Sequence, residues 1–503
     1  MTESAGEEPA LLQTGVTGLD DILRGGLSPD CLYMLSGSPG AGKTTLAMQF
    51  LLEGIQNGER CLYVTLSESK REIEKVARSH AWNLSKLHIC ELIPSEGSLS
   101  PDSQLTVFNP SEFELGETTE AMLAEISKHD PQRVVLDSLS ELRLVAQSSL
   151  RYRRQILALK KFFGSRNCTV LLLDDNTGTA SDGQLESIAH GVIVLEQLVN
   201  QYGAERRRLR VAKMRGTEFR GGYHDFTIRK GGLDVFPRLI AAEHRSDFQD
   251  EELASGIQSL DDLLGGGVPF GTSTLLLGPA GTGKSTIASQ FAVAAAKRNY
   301  RAAMFIFDEN LHTFHSRSRK LGIELEQPIE NGLLTVQQVD PAELSSGEFA
   351  AVVRRAVDGT DGHKYPAKVL IVDSLNGYLN AMPEEKFLTA QLHELLTFLG
   401  QQGVVTFLTV TQAGMVGTMH SPVDTTYLAD NVILFRYFES RGQVRRAISV
   451  VKKRSGKHEL SIRELYVTEK GIEVGEPLED FQGVLTGVPT YVGTGTNLIK
   501  KAP

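Results

Sequence analysis

Two stretches of the chain combine glycines, a lysine and a hydroxyl at the spacing that grips phosphate. Gly37-Ser-Pro-Gly40-Ala-Gly42-Lys43-Thr44 is the first and Gly278-Pro-Ala-Gly281-Thr-Gly283-Lys284-Ser285 the second, with Thr45 and Thr286 next in line. A glycine-rich turn entering a helix aims backbone N–H groups at phosphate oxygens. The lysine neutralises the β/γ oxygens, and Thr44 or Ser285 is placed to ligate Mg²⁺. Upstream, Gly15-x-x-x-Leu19-Asp20-Asp21-x-Leu23-x-Gly25-Gly26 returns as Gly256-x-x-x-Leu260-Asp261-Asp262-x-Leu264-x-Gly266-Gly267, displaced by 241 residues without a gap. The chain reads as a duplicated nucleoside-triphosphate module.

Each copy also offers carboxylates suited to such a site. Val134-Val-Leu-Asp137-Ser138 and Leu370-Ile-Val-Asp373-Ser374 are buried-strand runs ending in an acid, the position that holds Mg²⁺ in P-loop proteins. Leu62-Tyr-Val-Thr-Leu-Ser67-Glu68 and Met304-Phe-Ile-Phe-Asp308-Glu309 run off a strand into acids that can align a water or hydroxyl for attack. Glu68 and Glu309 are the candidates for that role. Mutual repulsion in the Asp308-Glu309 doublet is expected to raise one proton affinity, suiting it to accept a hydroxyl proton.

The elements that must carry these residues alternate. Leu32-Tyr-Met-Leu35 and Thr274-Leu-Leu-Leu277 precede the loops, and helix-compatible segments follow from Leu46 and Ile287. Strand-like runs at 60–65, 133–137 and 169–173 are separated by helical stretches at 72–79 and 151–163. That pattern predicts an α/β fold in which each domain is a mostly parallel sheet flanked by helices. The charged segment 238–253 lacks periodicity and reads as a linker, giving domains over 10–240 and 250–485 and a short flexible tail over 486–503.

The 503 residues are 41% apolar and 23% charged, enough for two globular cores. Cys31, Cys61, Cys90 and Cys168 show no CxxC spacing, so neither a zinc site nor a disulfide framework is indicated, and a reducing cytoplasm is expected. The N-terminus carries no apolar signal core and no run is long enough to span a bilayer, which excludes secretion and membrane insertion. A net charge of −10 argues against a nucleic-acid platform, leaving Arg206-Arg-Arg-Leu-Arg210 as the one basic patch to weigh.

In combination, the tandem P-loops, their Gly-x-x-x-Leu-Asp lead-ins, the acidic turns and Lys213-Met-Arg215-Gly216 resemble the KaiC family of RecA-type ATPases, from about residue 12 to about 490. The resemblance implies tandem RecA-like domains, ATP and Mg²⁺ as ligands, and assembly into a homo-hexamer of two stacked rings with signalling proteins as partners. It implies that Lys213 and Arg215, and Lys452 and Arg454 in the second copy, reach the neighbouring subunit's nucleotide. Residues two apart on a strand point to one side, so each pair is expected to present two cations together. Clock-type members autophosphorylate a Ser/Thr pair. Counting back from Asp430 puts Thr426 and Tyr427 there, so a tyrosine replaces one expected threonine, with Thr425 as a neighbour.

The reading is thus a double-ring ATPase with serine/threonine autokinase activity in the second domain, acting in signalling or timing. Two alternatives stand beside it: a DNA-stimulated recombinase or helicase relative using the Arg206–Arg210 patch, and a nucleotide-glued scaffold with negligible catalysis.

Overall fold

The computed structural model describes residues 10–92, 110–146, 148–175, 183–199, 203–380, 388–412, 427–486 and 489–493. Two compact units divide the chain after Arg238.

The first unit contains strands β1 (Leu32–Gly37), β2 (Cys61–Thr65), β3 (His88–Glu91), β4 (Arg133–Asp137), β5 (Thr169–Asp175), β6 (Gly191–Leu198), β7 (Arg206–Met214), β8 (His224–Arg229) and β9 (Gly232–Phe236). Its helices are α1 (Thr17–Ile22), α2 (Lys43–Gln56), α3 (Lys70–Ser79), α4 (Pro110–His129), α5 (Leu139–Ala146), α6 (Ser149–Phe163) and α7 (Gly183–Ile188). The sheet order is β3-β2-β4-β5-β1-β6-β7-β8-β9. Strands β3 to β6 in that order run parallel, and β6 to β9 turn back as an antiparallel meander.

The second unit repeats this plan. After the two-residue strands β10 (Glu252–Leu253) and β11 (Val268–Pro269) come β12 (Ser273–Gly278), β13 (Arg301–Ile306), β14 (Leu334–Gln338), β15 (Ala367–Asp373), β16 (Val405–Thr411), β17 (Asn431–Ser440), β18 (Gln443–Lys453), β19 (Arg463–Thr468) and β20 (Gly471–Pro477). Its sheet order, β14-β13-β15-β16-β12-β17-β18-β19-β20, is the same permutation. Helices α8 (Gln258–Leu264), α9 (Lys284–Lys297) and α10 (Leu311–Lys320) match α1, α2 and α3.

Continuous apolar runs become central strands because both sheet faces are covered. Along β1, Tyr33 and Leu35 enter one core and Leu32 and Met34 the other. In β12, Leu276 faces one core and Leu275 and Leu277 the opposite one. The repeated lead-in has a structural job. Asp20 accepts from Thr14 N at 2.8 Å, its counterpart Asp261 accepts from Ser255 N at 2.6 Å, and a Cβ on Gly26 (φ +135°) lies 2.2 Å from Leu12 O.

Two segments differ from expectation. The stretch read as a linker packs on the second unit: Ala241 N donates to Glu394, Ser246 N to Gln401 O, and the Phe248 ring crowds Gly271 and Gly403. In the segment read as a tail, Thr490–Tyr491 pairs antiparallel with Phe481–Gln482. Hydrogen bonds from the backbone at Ala241 and Ser246, and the contact of the Phe481 and Tyr491 rings, hold segments whose charge and glycine content suggested loops.

Buried His224, 1% exposed, supplies a pH dependence. Its Nδ1 accepts from Arg238 N at 2.8 Å and its Nε2 lies 2.9 Å from Arg220 O, which fixes the neutral Nε2–H tautomer. Burial pushes its pKa down from 6.5 to about 4, with the Arg220 and Arg238 charges acting in the same direction. A folded-state value below the unfolded one means that its stabilisation is complete above about pH 6.5 and is lost as pH falls through about 4. Urea unfolding of the first unit, followed by its one tryptophan, Trp82, should therefore lose about 3 kcal/mol from this group between pH 7 and pH 4. His224→Gln should flatten that dependence; an identical slope in the variant contradicts the assignment.

Candidate nucleotide site

Strand register brings the site residues to one edge of each sheet. Gly37 pairs with Asp175, and Thr65 with Asp137, so the ends of β1, β2, β4 and β5 meet where α2 begins. In the second unit Gly278 pairs with Thr411 and Ile306 with Asp373. Gly42 and Gly283, at φ +103° and +105°, turn each loop into α2 and α9. Neither helix has a side-chain cap, so first-turn N–H groups stay available to an anion.

Both loop lysines fold over the turn they serve. Lys43 Nζ donates to Gly37 O at 2.8 Å and Ser38 O at 2.9 Å; Lys284 Nζ donates to Gly278 O at 2.9 Å and Pro279 O at 2.7 Å. Burial lowers the Lys284 pKa to about 8, opposed by the Asp373 charge. A buried cation at an uncapped helix start fits a polyphosphate.

The carboxylates differ between copies. Asp137 Oδ2 accepts from Thr44 Oγ1 at 3.1 Å and from the Tyr63 hydroxyl; burial raises its pKa against these hydrogen bonds. Such a hydroxyl–carboxylate pair has the hard oxygen donors that Mg²⁺ takes. Asp373 instead accepts from Thr409 Oγ1 at 2.5 Å, because Met304 stands in the strand position of Tyr63. Peptide bonds Asp137–Ser138 and Asp373–Ser374 are both cis.

Glu68 lies beyond β2, where Thr65 Oγ1 accepts from its backbone N at 2.9 Å. Burial raises its pKa, with the Asp137, Glu72 and Asp175 charges adding to the shift, which places Glu68 in the field of Asp137. Glu309 is paired with Arg317 at 2.9 Å. Its pKa is raised by burial and by Asp373, with Arg317 opposing, so its neighbour Asp308 is not the cause that the doublet suggested. Asp308 points elsewhere, accepting from the Ser374 hydroxyl.

The paired cations are held on neighbouring carbonyls; in the first unit Lys213 Nζ and Arg215 both reach Ser187 O, at 3.3 and 2.7 Å. Lys213 Nζ turns inward to the carbonyls of Glu186 and Ala189 at 2.7 and 2.8 Å, closing the end of α7, whereas Arg215 is exposed and rests on Ser187 O at 2.7 Å. In the second unit Lys452 Nζ donates to Ala429 O at 2.7 Å, while Arg454, 64% exposed, pairs with Asp430 at 3.0 Å. In each unit the residue just ahead of the lysine, Ala212 or Val451, bulges out of the pairing with the neighbouring strand. Tyr427 is 58% exposed; Thr425 and Thr426 lie outside the described residues.

The sequence reading missed Asp175. Its Oδ1 lies 2.7 Å from Lys43 Nζ and its Oδ2 accepts from Ser140 Oγ at 3.2 Å, whereas the second unit has Thr411 there. Asp174 beside it pairs with Arg143 at 2.7 Å. The available signal was a second apolar run, Thr169-Val-Leu-Leu-Leu, ending in two acids.

Residues 12–240 and 253–479 each match the family described as ATPase: KaiC. The chain belongs to the KaiC ATPase family. Its duplicated fold is RecA-like, and membership implies nucleotide binding. Among its relatives, the circadian clock oscillator protein KaiC of Thermostichus vulcanus is 29% identical over 501 residues, covering 98% of this chain and 94% of that protein. Those of Acaryochloris marina and Synechococcus elongatus are each 28% identical, covering 96% of this chain and 92% of theirs. Among the described residues no helix is long and apolar enough to cross a membrane.

Proposed function

We propose that both repeats bind Mg·ATP and hydrolyse it in a homo-hexamer of two stacked rings, in the cytoplasm, and that nucleotide-driven ring states serve signalling or timing. The convergence of Lys43, Thr44, Asp137 and Glu68 at one sheet edge carries this reading. Mg²⁺, when bound, supplies charge neutralisation at the β/γ oxygens, held by Thr44 with Asp137 and by Ser285 with Asp373.

The remaining work belongs to the chain. Loop N–H groups and Lys43 or Lys284 orient the triphosphate. Glu68, and Glu309 once freed from Arg317, align the attacking oxygen and hold its proton. Arg215 and Arg454, exposed at the ends of their strands, extend to the adjoining subunit's γ-phosphate, while Lys213 and Lys452 fix the backbone that presents them. Serine/threonine autokinase activity belongs to this reading, with Thr426 as acceptor in preference to Tyr427. A phenol displaces its oxygen by several ångströms from a threonine's, and a misplacement of about 1 Å already costs about 10² in rate. Native mass spectrometry with phosphopeptide mapping after Mg·ATP incubation tests assembly, turnover and transfer together. A monomer hydrolysing at full speed overturns the assembly claim, and phosphate only on Tyr427 overturns the acceptor.

The DNA-acting alternative loses support from the basic patch. Arg207 pairs with Glu205 at 2.6 Å, and Arg208 pairs with Glu196 at 2.8 Å and stacks on Tyr223 at 3.9 Å. These cations are already engaged within the chain.

Asp175 sets the two sites apart. An anion beside Lys43 must release it before phosphate takes its place, and its charge also opposes the triphosphate. In a Lys284→Ala background, Asp175→Thr is expected to tighten ATP binding to the first repeat by about fivefold to thirtyfold, the worth of about 1–2 kcal/mol. Fluorescent-nucleotide titration reads this directly, and unchanged or weaker binding contradicts it.

A further inference from the structure

We propose that His88, Glu125 and His129 form a binding site for a divalent transition-metal ion of the zinc class, separate from the nucleotide sites. His88 opens β3, the edge strand of the first sheet, and Glu125 and His129 lie one helical turn apart near the end of α4. The helix packs over that strand through Cys90, Met122 and Ile126, which share one core cluster. Because Cys90 is two residues beyond His88, His88 emerges on the same strand face, under the last turn of α4.

Three donor atoms converge there. His129 Nε2 lies 3.2 Å and His88 Nε2 3.8 Å from the same oxygen, Glu125 Oε2, and the three donors all fall within 4.8 Å of one another. Bonds of about 2.0–2.1 Å in tetrahedral geometry separate zinc ligands by about 3.4 Å, so small side-chain rotations close the set. The imidazoles stack with centroids 3.6 Å apart. His129 Nε2 is sealed from solvent yet has no hydrogen-bond partner, despite its closeness to Glu125. A buried nitrogen aimed at a carboxylate, but off the line of a hydrogen bond, is what a metal ligand leaves when considered without its ion.

The fourth position falls to water. The Cys90 thiol is turned into the apolar cluster. One competitor is present. Lys128 Nζ holds Glu125 at 3.0 and 3.4 Å, but its side chain is 64% exposed and free to swing into solvent. An ion bound here staples the end of α4 to the edge strand β3, four residues before β4, which carries Asp137.

The test uses the full chain, stripped with chelator and free of nucleotide, titrated with ZnCl₂ in a calorimeter and with Co²⁺ in a spectrophotometer. One ion per chain is expected at a Kd of about 1 μM or below, with intense four-coordinate Co²⁺ bands and a raised melting temperature of the first unit. His88→Gln and His129→Gln should each weaken binding at least about tenfold, while leaving metal-free Trp82 emission unchanged. Lys128→Gln, which keeps all three ligands, should tighten binding by about threefold or more. A plain surface ion-pair cluster predicts no such gain. Absence of stoichiometric uptake, six-coordinate Co²⁺, or equal binding by the double histidine variant overturns the site.

Discussion

Glu68→Gln is expected to lower ATP turnover from the first repeat by about 10²-fold or more while leaving nucleotide affinity within about threefold. The amide keeps the shape of the side chain but loses the proton acceptor. The acceptor's environment argues for the role: burial raises the Glu68 pKa, and Asp137 and Asp175 push it further in the same direction. A carboxylate held in this way binds a proton more readily than an exposed one, as a base for water requires. The measurement belongs in a Lys284→Ala background, so that the second repeat does not contribute. Unchanged turnover there removes Glu68 from the role. Glu309 should respond less to the equivalent change, because Arg317 already engages it at 2.9 Å.

Arg215→Ala is expected to cost about 10²–10³ in turnover from the first repeat, the loss that follows removal of a cation from a phosphoryl-transfer site. No carboxylate pairs with Arg215 among the described ion pairs; its guanidinium rests on a single carbonyl, Ser187 O, from which it can extend. Lys213 should behave differently. Its ammonium satisfies the carbonyls of Glu186 and Ala189, so Lys213→Ala should loosen the end of α7 and lower thermal stability as well as turnover. Equal stability of the two variants, or turnover that survives Arg215→Ala, contradicts this division between positioning and contact.

Much of this was legible from spacing alone. The strands carrying Asp137 and Asp373 announce themselves because a parallel sheet buried on both faces demands unbroken apolar runs such as Val134-Val-Leu and Leu370-Ile-Val. The P-loops were legible because few residue types tolerate the loop's positive φ or neutralise phosphate. Relations across strands were not. Whether a tyrosine or a threonine hydroxyl donates to the strand-end aspartate, Tyr63 to Asp137 or Thr409 to Asp373, depends on which neighbour lies alongside, and that is a property of sheet order. Asp175 reaches Lys43 only because β5 adjoins β1 although β2 to β4 intervene in the chain.

Mixing two inactive variants tests the central claim of a site shared between subunits. Rings of Glu68→Gln alone and of Arg215→Ala alone, both in the Lys284→Ala background, should each be nearly silent. If Arg215 completes the neighbour's site, random co-assembly at equal amounts pairs an intact Glu68 with an adjoining intact Arg215 at about one interface in four. Turnover of the mixture should then recover to about a quarter of the parent's, and only after subunit exchange. A mixture no more active than its components shows that each subunit uses its own Arg215, or none, and contradicts the shared site.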